Sequence, residues 1–155
     1  MYEPIRTKSV HSMAEPEYPH RSRGEELDIQ LAGHLAALLA VTDELRALSA
    51  DAGTGTAAGA DAKPDLDRAA DRISEQVARL RRGLRPVRST ATGQSGEAGG
   101  ARGEALHRRA HALAGRALVV AASRADTAAA ILAAERMDAH AAALAIPSPA
   151  LAATP

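Results

Sequence analysis

The residues best suited to chemistry are two histidines in the stretch EALHRRAH. His107 and His111 are four positions apart, and Glu104 lies three positions before the first of them. On a helix this spacing brings both imidazole rings to one side, as in many zinc sites. Glu104 and His107 also form the E-x-x-H pair that di-iron bundles use twice, but no second pair lies in a predicted helix.

A third histidine, His34, occupies an apolar seam of the first predicted helix. If the first and third helices are parallel, His34 and His111 lie at similar heights, and with His107 they supply three nitrogen ligands for a metal ion. The alternative is that His107 and His111 lie at the edge of a packing face and that His34 bonds a neighbouring polar group. His140 is predicted to lie on a solvated face.

Two segments with helical periodicity make up the first half of the predicted domain. In residues 24–50, apolar residues repeat every seven positions in two interleaved series, which is typical of a coiled-coil seam. Ser22 and Glu25 form a capping box at its start. A second helix is predicted over 64–84, with Pro64 in the first turn, where proline is well tolerated.

A third segment, 104–145, has two interpretations. We favour one continuous helix about 60 Å long, because alanine propagates helix well and no turn residue interrupts the segment. Alternatively the chain bends near Ser123, where Ser123 or Asp126 can cap a fourth helix. The residues 85–103 between the second and third helices, rich in Gly, Ser and Thr, are predicted to form a flexible linker.

The predicted fold class is therefore all-α. The expected architecture is an antiparallel, up–down–up bundle of three helices with a long third helix, which the alternative breaks into a fourth near Ser123. The bundle is predicted to span residues 23–146, between disordered segments at 1–22 and 147–155.

Composition excludes several classes of function. The chain has no Cys, Phe or Trp and only two Tyr, which removes thiolate chemistry and most aromatic stacking platforms. It has no G-x-S-x-G motif and no strand followed by a phosphate-binding glycine loop. We therefore predict a non-catalytic protein without a cofactor. No apolar run approaches the ~20 residues of a membrane span, so a cytoplasmic location without membrane association is expected.

Charge is balanced, with 19 basic and 19 acidic residues, which disfavours a surface built for nucleic acid. The basic stretch RLRRGLRPVR is predicted to lie beside the acidic start of the first helix. The alternative is a phosphate-binding patch of six arginines at one end of the bundle, formed by Arg81, Arg82, Arg85, Arg88, Arg108 and Arg109. Since no known DNA-binding motif accompanies it, nucleic-acid binding ranks as the second alternative function.

The alanine-rich second half of the third segment is the predicted working surface. Small residues allow close helix approach, and three helices do not obviously cover them. We therefore predict a small interaction protein that forms a homo-oligomer or binds a protein partner, with a metal- or ligand-binding bundle using His34, His107 and His111 as the first alternative. If the segment folds back as a fourth helix, the face is covered internally. The predicted contact residues are Ala125, Ala128, Ala129, Leu132, Ala133 and Ala139.

Overall fold

A computed structural model of the chain describes residues 21–51, 57–90 and 97–146. Regular structure in these ranges is entirely helical, which confirms the all-α prediction for this part of the chain. None of its helices is both long and apolar enough to cross a membrane. The predicted disordered segments lie outside the described residues, except for Arg21 and Ser22. The helices are α1 (Arg23–Asp51), α2 (Ala57–Leu80), α3 (Glu97–Ser123) and α4 (Thr127–Ala145).

Helix α1 is the central element of the bundle, because its apolar residues are not confined to one narrow stripe. Helix α2 packs against one side of it and α3 against another. Burying a leucine contributes roughly 2 kcal/mol, so the leucines of α1 are the largest source of hydrophobic stability in the fold. The buried apolar side chains of α1, each at most 3% exposed, are Leu31, Ala32, Leu35, Leu38, Leu39, Val41 and Leu45.

Helix α3 meets these leucines with a stripe of alanines that alternates spacings of four and three. Ala110, Ala114, Ala117 and Ala121 are all 0% exposed. Because an alanine side chain is a single methyl group, this stripe lets the backbone of α3 approach α1 closely. The core between the two helices is therefore built from large residues on one side and small residues on the other.

Ion pairs establish the direction of α3. Arg124 Nε lies 2.9 Å from Asp28 Oδ1, and Arg102 Nη2 lies 3.4 Å from Glu44 Oε2. The end of α3 is therefore beside the start of α1, and the two helices are antiparallel. The up–down–up expectation, which had them parallel, was wrong: α1 to α4 run up, down, down, up.

A sharp turn separates α3 from α4. Ala125 adopts the left-handed conformation with φ of 56°, and the Asp126 N–H donates to the Ala121 carbonyl at 2.9 Å. Asp126 Oδ1 then accepts from the Ala129 N–H at 3.1 Å and caps α4. The favoured single helix over 104–145 was therefore wrong, and the alternative break near Ser123 is present.

Burial explains why the break forms in sequence that favours a continuous helix. Helix propensities differ by only tenths of a kcal/mol per residue, whereas burial of Leu132 is worth roughly 2 kcal/mol and the Asp126 cap about 1 kcal/mol. Together they outweigh the ~1–2 kcal/mol cost of a left-handed alanine. The turn brings Ala129, Leu132 and Ala133 against α3, where each is at most 1% exposed.

The connection from α2 to α3 differs from the predicted flexible linker. Helix α2 ends beside the start of α1, so the chain must return along the bundle before α3 begins. Arg88 Nη2 and Nε donate to Asp43 Oδ1 and Oδ2 at 2.6 and 3.0 Å, and the Ser89 N–H donates to Oδ2 at 3.1 Å. Residues 84–90 therefore form an anchored strap, and residues 97–103 belong to α3.

Asp43 holds this strap although it is only 5% exposed. Burial alone would raise the pKa of its carboxyl, but the hydrogen bonds from Arg88 and from the Ser89 N–H outweigh burial and lower the pKa below its usual range. Arg46, one turn along α1, donates a fourth hydrogen bond to this carboxylate at 3.1 Å. The carboxylate is thus charged, buried and fully engaged.

The bounds of α2 also differ from the predicted 64–84. The helix begins at Ala57, so Pro64 lies inside it rather than in its first turn. It ends at Leu80, because the Gly83 N–H donates to the Ala78 carbonyl at 2.7 Å and closes the last turn. This bond is the six-to-one contact of a Schellman cap.

The helix break can be tested with two alanine-to-glycine substitutions. We expect Ala125→Gly to raise the free energy of unfolding by about 0.5–1 kcal/mol, because glycine adopts positive φ without strain. Ala122→Gly, on the exposed surface of α3, should lower it by about 1 kcal/mol. Urea unfolding followed by far-UV circular dichroism measures both; a loss of stability in both variants would contradict the break.

The strap can be tested by neutralising its anchor. Asp43→Asn should lower the free energy of unfolding by about 2–3 kcal/mol, because Arg88 and Arg46 lose a buried charged acceptor. Asp71→Asn is the matched control, since that carboxylate is 78% exposed and 3.8 Å from Arg88; it should change stability by less than about 0.5 kcal/mol. Equal effects in the same urea experiment would show that the strap is not anchored at Asp43.

Candidate functional site

Two histidines meet in the interface between α3 and α4. His107 Nδ1 lies 3.0 Å from His140 Nδ1, and the ring centroids are 5.3 Å apart. His140 is only 2% exposed, and His107 is half-buried. The prediction that His140 lies on a solvated face was wrong, because α4 folds back onto α3 and turns this residue inward.

A buried arginine lies beside this pair. Arg136 precedes His140 by one turn of α4, is 8% exposed, and donates through Nη1 to Asp65 Oδ2 of α2 at 3.2 Å. Arg136 Nε and His140 Nε2 are buried and have no hydrogen-bond partner among the described residues. Since an unsatisfied buried polar group costs roughly 1–3 kcal/mol, this cluster is less stable than an apolar one of the same shape.

The surroundings of His140 oppose its protonation. Burial is the main cause that lowers its pKa to about 4, and the nearby His107, Arg136 and His111 lower it further, while Asp65 opposes them. Burial also lowers the pKa of His107. At neutral pH both rings are therefore uncharged, and in their contact one Nδ1 carries the hydrogen while the other accepts it.

The histidines predicted to bind metal are not brought to one point. His107 and His111 follow each other on α3, and His34 is half-buried on α1. In the part of the chain that the structure describes, no three His, Cys, Asp or Glu side chains are placed to hold a metal ion. The partner of His107 is instead His140, and the charge of Arg136 beside it disfavours a cation.

His140 was missed although the sequence contains a signal for it. The buried residues of α4 recur with spacings of four, three and four, at Ala129, Ala133, Arg136 and His140. The nearby Glu135 and Asp138 indicated a solvated face for His140, and Arg136 interrupts the apolar stripe. Extending the period through Arg136 would have placed His140 in the core.

The predicted interaction surface on α4 is largely internal. Ala129, Leu132 and Ala133 belong to the core, Ala139 is half-buried, and only Ala125 and Ala128 are exposed. This corrects the predicted site, because three of its six residues pack against other helices and are closed to a partner in this conformation.

A second site lies where α1 begins, α2 ends and α3 turns into α4. We call this region the basal end and define it as residues 21–29, 79–84 and 124–127. Ser22 and Glu25 form the predicted capping box there, with reciprocal backbone bonds of 2.9 and 3.2 Å. A cleft of about 380 Å³ opens between α1 and α2, and it is lined by Arg21, Glu25, Asp28, Ile29, Leu80, Arg81, Arg82 and Leu84.

Some arginines of the basal end are committed to ion pairs. Arg124 pairs with Asp28, and Arg79 pairs with Asp126. Arg81 and Arg82 are exposed, and neither makes an ion pair with a described residue. The nearby charge of Arg82 helps to lower the pKa of Glu25, after the larger effect of the hydrogen bonds from Ser22.

The predicted patch of six arginines is divided by the fold. Arg88 is held by Asp43 on the middle of the bundle, and Arg108 pairs with Glu104 at 3.0 Å on α3. Arg81 and Arg82 remain at the basal end, so the basic residues do not form one continuous phosphate-binding surface.

Both left-handed residues other than glycine in the described ranges lie at the basal end. Arg82 has φ of 55° and Ala125 has φ of 56°. Glycine is the usual residue at this position of a helix cap, and any other residue costs about 1–2 kcal/mol. Such strain concentrates at functional sites, which marks the basal end as a candidate binding surface.

No protein-family model, curated protein or solved structure matches this chain. The function is therefore inferred from the geometry and charge of the histidine cluster and of the basal end.

The environment of His140 can be checked by proton titration. We expect its ring signals in NMR spectra to titrate with a midpoint near 4, because burial disfavours the charged form. Assignment through the His140→Gln variant identifies the resonance. A midpoint near the ordinary value of about 6.5 would contradict the burial of this ring.

Proposed function

We propose that this protein is a non-catalytic helical module that binds an acidic segment of a protein partner at its basal end. The supporting observation is a cleft in which exposed apolar side chains lie beside arginines that have no ion pair within the described residues. Cytoplasmic location, absence of catalysis and absence of a cofactor remain predictions from the sequence.

The apolar part of the cleft offers surface for hydrophobic contact. Ile29 of α1 is 49% exposed and Leu84 of the strap is 72% exposed, and Leu80 lines the same cleft. Single exposed apolar residues are common on soluble proteins, but a contiguous apolar surface with a charged rim is typical of binding sites.

Charge selects the chemistry of the partner. A second cleft adjoins the first, and its charged lining residues are Asp28, Arg79, Arg82, Arg124 and Asp126. Together the two clefts are lined by five arginines and three carboxylates, which gives this end a net positive charge. Carboxylates of a partner can pair with Arg81 and Arg82 while apolar side chains between them contact Ile29 and Leu84. An acidic segment with interspersed apolar residues fits both properties.

The backbone at Arg82 supports the same surface. Arginine occupies a left-handed position where glycine is more stable, and Gly83 directly follows it. The strained position turns the chain out of α2 at the rim of the cleft. The presence of a charged residue in this strained backbone conformation favours a role for Arg82 in binding.

Other functions have less support. The cleft is partly apolar through Ile29, Leu80 and Leu84, and a phosphate backbone, which binds mainly through charge, makes no use of that surface. A homo-oligomer formed through the alanine face of α4 would require α4 to leave α3. A metal function of His34, His107 and His111 has no converging set of ligands in the described residues.

A peptide-binding experiment tests the proposal. The probe is a fluorescein-labelled peptide that repeats Leu and Glu in a helical pattern, and fluorescence anisotropy measures its affinity. We expect the Arg81→Glu/Arg82→Glu double variant to weaken binding by about tenfold or more, because two attractions become repulsions. Leu84→Ser should weaken it by a few-fold through lost apolar contact.

The Arg108→Glu/Arg109→Glu variant is the matched control, since it makes the same charge change on an exposed part of α3; its affinity should stay near that of the wild type. Equal binding of both double variants would refute the basal site. Tight binding of a Leu–Lys peptide would refute acidic recognition. Tighter binding of a single-stranded oligonucleotide would favour nucleic acid instead.

A further inference from the structure

We propose that the His107–His140 contact is an acid-sensitive latch, whose protonation releases α4 from α3 and exposes the alanine face of α4. This surface is distinct from the basal cleft and from the partner proposed for it. In the closed state its central residues are buried: Ala129 and Ala133 are 0% exposed, and Leu132 is 1% exposed.

The geometry of the contact is incompatible with two protonated rings. At 3.0 Å the two Nδ1 atoms can share one hydrogen. When His140 donates its Nδ1–H to His107, protonation of His140 at Nε2 adds a charge and an N–H without an acceptor in the interior, since no described group bonds this atom. If both rings are protonated, both Nδ1 atoms carry hydrogens and the contact is lost.

The charged and titratable groups around His140 favour release once it is protonated. Helix α3 contributes His107 and His111, and α4 itself contributes Arg136. Helix α2 contributes Asp65, whose charge favours a protonated His140. Asp65 already pairs with Arg136 at 3.2 Å. The positive charge of this guanidinium therefore partly cancels the attraction between Asp65 and a charged imidazole.

Helix α4 is the element that can open separately. It packs mainly on α3 and only lightly on α2, and its core face consists largely of alanines, which bury little area. Helix α1 packs against both α2 and α3, and among the described residues it does not pack against α4. Regions with little buried apolar surface open before the rest of a protein unfolds.

The sign of the pH effect follows from the histidine pKa values. In the open state the pKa of His140 has its ordinary value of about 6.5, and in the closed state it is about 4. The closed state is therefore fully favoured above pH ~6.5 and loses stability as the pH falls toward 4. Linkage predicts that the opening equilibrium rises about 30-fold between neutral pH and pH ~5.

Since the chain has no cysteine, single introduced thiols can report opening. Ala133→Cys places a thiol on the α4 face, and Ala70→Cys is the matched control in the core of α2; both positions are 0% exposed. Dithiodipyridine also reacts with thiols in acid, so the rate of its reaction with each thiol is measured at both pH values. The ratio of this rate in the urea-unfolded chain to the rate in the folded protein gives the protection of the thiol. Measurements at about pH 7.5 and about pH 5 keep most carboxylates ionised.

We expect protection of the Ala133→Cys thiol to fall about 30-fold at the lower pH, while the Ala70→Cys thiol stays protected. Adding His140→Leu should abolish the pH dependence, and His140→Gln serves the same purpose if the leucine variant does not fold. Adding His34→Gln should leave it intact. Unchanged protection of the Ala133→Cys thiol, equal loss at both thiols, or an unaltered response in both His140 variants would overturn the latch.

Discussion

The leucines of α1 lie on more than one side of the helix, and each side must be covered by another helix. The rest of the bundle follows from this constraint. A helix with apolar residues on more than one side needs more than one neighbour, and α2 and α3 both take this role. Both run antiparallel to α1, as the pair between Arg124 and Asp28 shows for α3. The chain must therefore travel the length of the bundle between them, and the Asp43–Arg88 anchor fixes that path.

The sequence predicted properties that depend on near neighbours along the chain. Apolar periodicity indicated the helices, and the Ser22–Glu25 spacing indicated the cap that starts α1. It did not predict the direction of α3, because that depends on the path of the connecting strap. It also favoured one long third helix, since alanine propensity is visible in the sequence but the burial of Leu132 against α3 is not.

The two candidate sites are the places where local rules are broken. At the basal end, Arg82 and Ala125 adopt backbone conformations that favour glycine. Between α3 and α4, Arg136 and His140 hold buried atoms without partners. Sequence analysis drew attention to His107 but not to His140, because an apolar period that contains an arginine does not resemble a core. Departures of this kind lower stability, which favours a functional explanation for them.

The strap has a consequence for the order in which the protein is made. Asp43 and Arg88 both lie in the first ninety residues, so on the ribosome the α1–α2 hairpin and its strap are complete before α3 emerges. The leucine surface of α1 is then still open on one side, and the anchored strap has already set the end from which α3 starts. Synthesis from the N-terminus therefore favours the antiparallel placement of α3 if the strap docks as it emerges, and α4, made last, completes the core.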